Sequence, residues 1–139
     1  MKPCFSIGLL LLLGCAGCNN QSDAVPASEN EIDAARNFIR ASLDRNWPEA
    51  KKFMLQDSSN VERLNSIERL YLHEDREERR GYREASITTY DTRKISDSAT
   101  VVVYANSYKN KKDSLKVVRV DGEWLVDLKY TVLPIGSPR

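Results

Sequence analysis

Leu115-Lys116-Val117-Val118-Arg119-Val120-Asp121-Gly122-Glu123-Trp124-Leu125-Val126-Asp127-Leu128 reads as two strands joined by a tight turn. Asp121-Gly122 is the pair a two-residue hairpin needs, because both positions take positive φ at low cost. Beyond it Trp124, Val126, Leu128, Tyr130 and Val132 fall at every second position, which puts them on one face of a strand. Asp127 has the opposite parity and is expected to point away from the core. Working backwards, Ala99 to Lys109 carries Val101-Val102-Val103-Tyr104, and Tyr82 to Thr92 is rich in Thr, Tyr and Ile. Short connections at Lys94–Ser98 and Asn110–Asp113 complete a four-stranded antiparallel meander.

Upstream the period is helical. Ser28-Glu29-Asn30-Glu31 fits a capping box. Ile32, Ala35, Ile39 and Leu43 then share a face, with Phe38 beside them. Asn46 caps a second helix, Trp47 to Leu55, since Pro48 is tolerated in a first turn; Ala50, Phe53 and Met54 face inward. Asn60 opens a third, with Val61, Leu64, Ile67 and Tyr71 in one stripe. It runs into the charged stretch His73 to Arg80 and stops at Gly81. Three N-terminal helices followed by four strands predict an α+β fold. One domain is expected over residues 28–133, with 134–139 as a tail.

The amino terminus carries a different signal. Lys2 is followed by the apolar run Phe5 to Leu13, then Gly14 and Cys15, the order of a secretory signal peptide over residues 1–14. The run is too short to span a bilayer, which takes about 20 apolar residues. Asn19 to Ala27 is polar and contains Pro26, as a flexible tether would. The chain holds 21 basic and 20 acidic residues; losing Lys2 with the signal leaves 20 of each. That balance argues against nucleic acid and against a polybasic grip on anionic lipid. The third cysteine, Cys18, is the last in the sequence, so the domain has no disulfide of its own.

Leu12-Leu13-Gly14-Cys15 resembles the lipobox of bacterial lipoproteins, in which the cysteine receives a diacylglyceryl group and the chain is cut before it. Cys15-Ala16-Gly17-Cys18 is a second register, so Cys15 is the expected lipidated residue with Cys18 as the alternative. Ala16, which is not Asp, implies by that resemblance an outer-membrane destination. The domain is similar to small secreted lipoproteins with the nuclear-transport-factor-two-like, or cystatin-like, fold, many of them domains of unknown function. The likeness rests on Leu43-Asp44-Arg45-Asn46-Trp47-Pro48-Glu49-Ala50, Asp97-Ser98-Ala99-Thr100-Val101-Val102-Val103 and Asp121-Gly122-Glu123-Trp124 in that order. It implies a curved sheet wrapped round the helices as a cone-like roll, with a pocket at the wide end.

Chemistry is sparse. His73 is the only histidine and lies among Glu74, Asp75 and Arg76, where a solvated helix residue suffices. No metal-ligand spacing is present, and no cofactor is expected. Pairs within Glu74–Arg80 are accounted for by helix stabilisation, and Trp47 by packing over the first helices. Tyr90, Tyr104, Tyr108 and Asp91 are the candidates for a pocket rim. Two functions follow. The first is a non-enzymatic envelope module that holds a small apolar ligand or a partner protein, or pairs with a second copy. The second is a pocket enzyme of the isomerase or dehydratase kind, with a carboxylate in the cone. A buried carboxylate of raised pKa would favour the second.

Overall fold

The structure, a computed structural model, describes residues 27–130. The expected signal peptide, both lipidation candidates and the 134–139 tail lie outside them. The described residues form an α+β unit: helices α1 (Glu31–Leu43), α2 (Trp47–Lys52), α3 (Ser58–Leu70) and α4 (Arg76–Glu84) precede strands β1 (Ile87–Ser96), β2 (Ala99–Asn106), β3 (Lys112–Val120) and β4 (Glu123–Asp127). A 3₁₀ turn over Leu128–Tyr130 follows. The sheet is open, antiparallel and ordered β1-β2-β3-β4, so the expected meander is present.

Four helices stand where three were expected. Asp75 accepts from the Glu78 amide and starts α4 afresh, after the chain has turned at Tyr71–Glu74. Gly81 does not stop a helix; it lies inside α4. A Cβ there would fall 2.3 Å from the Tyr108 ring, so glycine is what lets that ring close on the helix. Tyr82, expected to open the first strand, is a buried residue of α4. Asparagine and aspartate caps set the other helix starts. Asn30, rather than Ser28, caps α1 by accepting from Asp33, Asn46 caps α2, and Asp57 caps α3 at Asn60.

Helix α2 ends at Lys52 because Phe53–Leu55 leaves to pair with the sheet edge. The Val126 amide donates to the Phe53 carbonyl at 2.9 Å, and the Leu55 amide donates to the Val126 carbonyl at 3.0 Å. This covers the β4 edge that would otherwise lie open. The core packs Phe38, Ile39 and Leu43 of α1, Met54, Leu64 and Ile67 against Val102, Leu115, Val117 and Val126 of the sheet. Ile32 is on the surface instead. Asp121 and Gly122 have φ of 50° and 84°, as the hairpin requires. The last strand is shorter than the alternation implied. It gives way to the 3₁₀ turn at Leu128, leaving Trp124 half-buried and Tyr130 exposed with the Lys116 ammonium over its ring.

Asp127 is a correction to the expected parity argument. It sits outside the apolar cluster, yet it is only 8% exposed. Asn60, fully buried, donates to it at 3.4 Å and accepts from the Leu128 amide, while Lys116 and Lys129 approach within 3.9 and 3.8 Å. The group ties α3 to the end of the sheet. Asp57, which also takes the Asn60 amide and Lys129, has its pKa lowered to about 2, chiefly by the Asn60 hydrogen bonds.

Candidate functional site

Register brings three polar side chains into one row across the helix-facing side of the sheet. Thr89 on β1 pairs with Tyr104 on β2, which pairs with Asp113 on β3. Paired residues in an antiparallel sheet project to the same face with Cβ atoms about 4.5–5.5 Å apart. The face is the inner one, because Tyr104 shares its parity with Val102, and Asp113 with Leu115 and Val117.

The row has unmet polar capacity. Tyr104 is 1% exposed, and among the described residues neither its hydroxyl nor the buried Thr89 hydroxyl has a hydrogen-bond partner. A buried hydroxyl without a partner costs about 1–3 kcal/mol, so two in one row mark a place able to receive polar atoms. Asp113, half-buried, accepts from the Ser114 amide at 2.9 Å. Burial nevertheless raises its pKa, and burial likewise raises those of Tyr104 and Tyr71, with the Asp113 charge a smaller contribution. Tyr104 stays protonated as a donor across the physiological range. Asp113 is the acceptor in the row and, like Thr89, is half-buried.

An aromatic stack stands over this end of the sheet. Trp47 stacks on Tyr71 at 6.0 Å, Tyr71 meets Tyr82 edge-on at 6.1 Å, and Tyr82 meets Tyr108 edge-on at 4.9 Å. The Arg45 guanidinium lies 3.7 Å from the Tyr71 centroid and 4.5 Å from that of Tyr82. It is held in a fork by Glu74 and by the Ser42 carbonyl at 2.8 Å. The Arg45 and Glu74 side chains are only 10% and 5% exposed. Arg45 takes φ of 60° to reach this position, an uncommon backbone for a non-glycine residue. Burial pushes the Tyr82 phenol up to about 12. Arg40 secures α4 over the site by donating to the Ala85, Tyr82 and Arg83 carbonyls at 2.7, 3.1 and 3.1 Å.

The four predicted rim residues are not brought together. Tyr104 is in the core. Asp91 pairs with Val103 and so faces the other side of the sheet, exposed. Tyr90 occupies the bulge between Thr89 and Asp91 and lies under Lys112 on that outer side. Tyr108 joins the aromatic stack at its open end, with Lys109 4.9 Å above its ring. His73 is exposed in the turn before α4. Asp113, Thr89, Arg45 and Glu74 were missed. For Asp113 a signal existed: it has the parity of Leu115 and Val117, but it falls in a stretch read as a turn. No group of three or more His, Cys, Asp or Glu among the described residues is placed to hold a metal. No helix among them is long and apolar enough to cross a membrane. The chain matches no family model, no curated protein and no solved structure.

Proposed function

We propose that this protein is an envelope lipoprotein whose single domain binds rather than catalyses. Lipidation of Cys15, with Cys18 as the alternative, tethers it to a membrane, and Ala16 after the anchor favours the outer one. Leu12-Leu13-Gly14-Cys15 at the end of an apolar run carries the anchor. The nuclear-transport-factor-two-like resemblance and its cone remain part of the proposal; an open antiparallel sheet with helices on one face agrees with them.

For binding, the observation that weighs most is the row Thr89–Tyr104–Asp113. Two hydroxyls without partners and a half-buried carboxylate suit a ligand with at least one hydrogen-bonding group, so the expected small apolar ligand becomes an amphipathic one. A partner protein or a second copy is the other occupant of the same reading. Asp113 also supports the second function, a pocket enzyme of the isomerase or dehydratase kind. Burial raises the pKa of its carboxyl, the direction a general acid or base needs.

The test is purification of the tagged protein from detergent-extracted membranes, followed by mass spectrometry of what accompanies it, for wild type and Asp113→Asn. A recurrent small molecule or protein lost in the variant supports binding at the row. Turnover of the recovered molecule by wild type but not by Asp113→Asn moves the assignment to the enzyme. Identical recoveries from both proteins remove Asp113 from the site.

A further inference from the structure

Helix α4 segregates its charges. Arg76, Arg79, Arg80 and Arg83 are all exposed, and their spacing confines them to about 100° of the helix circumference. Gly81, against the Tyr108 ring, lies on the opposite side, and buried Tyr82 lies on the flank beyond Arg79. The stripe therefore faces away from the Tyr108 ring. Among the described residues Arg80 alone of the four has an acidic partner, Glu77 at 3.8 Å, and both are open to solvent. Glu77 and Glu84 stand to one side of the stripe. The corner leading into the helix adds Leu70 and Leu72, 50% and 64% exposed. Two bare leucines beside an arginine stripe are an arrangement that water does not favour and that an interface between water and lipid does.

We infer that the α3–α4 corner seats the domain on an anionic lipid surface, with the arginines on headgroup phosphates and Leu70 and Leu72 in the acyl boundary. Guanidinium forks suit phosphate oxygens, and the stripe offers four on one side of a nine-residue helix. The overall neutrality that argued against a polybasic grip is outweighed locally, because headgroups sense the charge within a Debye length rather than the net charge. The inference takes its setting from the proposed anchor, which would hold the domain at a membrane.

The test needs no anchor, so it fails or succeeds separately from the lipoprotein reading. The core among the described residues lies between Ala34 and Leu128, so residues 15–139 with Cys15→Ser and Cys18→Ser retain it. That chain is co-sedimented with vesicles of phosphatidylcholine alone and with vesicles containing phosphatidylglycerol. Binding to the anionic vesicles only, weakened by salt, is expected. Each Arg→Gln change in the stripe should weaken it roughly fivefold, the equivalent of about 1 kcal/mol per basic residue at such a surface. Leu72→Ser should weaken it further, and Lys51→Gln with Lys52→Gln on α2 should not. Circular dichroism of each variant confirms folding. No binding, equal binding to both vesicles, or equal loss in the α2 control overturns the inference. Retention of an acidic protein by the stripe without vesicle binding overturns it in favour of protein docking.

Discussion

Arg45 and Glu74 form the structure's most exacting contact, and removing one of them measures it. Both charges are almost out of water, paired in a fork, with the guanidinium sandwiched against Tyr71 and Tyr82. Glu74→Ala leaves the guanidinium buried with, among the described residues, the Ser42 carbonyl and the Tyr71, Tyr82 and Trp47 rings. Breaking a buried pair from one side costs about 3–5 kcal/mol. That is a large share of the 5–15 kcal/mol that holds a typical domain together. Arg45→Ala should cost a similar amount, because it strands Glu74 and removes the stacking as well. The double variant Arg45→Met, Glu74→Leu leaves no buried charge and should recover most of the loss. Urea unfolding followed by circular dichroism gives the three differences at constant slope, and adding Arg45→Ala, Glu74→Ala closes the cycle that isolates the coupling. Single variants within about 1 kcal/mol of wild type would refute the reasoning, since that is the worth of an exposed pair.

The other expectations are smaller. Asp113→Asn should raise the melting temperature at pH 7. Burial raises the folded pKa, so the folded state gains relative stability below the unfolded value of 3.8 and loses it as pH rises through the folded one; the two proteins should converge near pH 3 in thermal scans. Asp57 has the opposite sign. Its stabilisation is full above pH 3.8 and fades as pH falls through about 2, and Asp57→Ala should lower stability at pH 7 as a lost cap, read by denaturant unfolding. Trp124→Ala should cost less than Leu115→Ala in the same assay. Leu115 is fully buried and its loss is worth about 2–5 kcal/mol, whereas Trp124 is half-exposed at the sheet rim.

The strands were legible in outline because their signal is local. Alternation and the Asp121-Gly122 turn mark β3 and β4 with no knowledge of what they pack on. The break between α3 and α4 was hidden because His73 to Arg80 is charged throughout. Periodicity needs apolar residues to report a face, and here the buried members are Glu74 and, further on, Tyr82. The aromatic site was illegible for the same reason. Arg45 lies in a turn and Glu74 in a charge run, and only the tertiary fold puts one against the other. Tyr104, expected at a pocket rim, lies in the core. Its parity with Val102 put it on the inner face, and the partners that define its surroundings, Thr89 and Asp113, are set by register rather than by sequence distance.

The central claim is the tether, and intact-mass spectrometry of the protein extracted from membranes tests it most directly. The account predicts a chain beginning at Cys15 that carries the mass of a diacylglyceryl group, with or without a further acyl chain, and no such species in Cys15→Ser. A lipidated chain beginning at Cys18 would move the anchor to the alternative register. A chain that still begins at Met1 and carries no lipid would contradict the account.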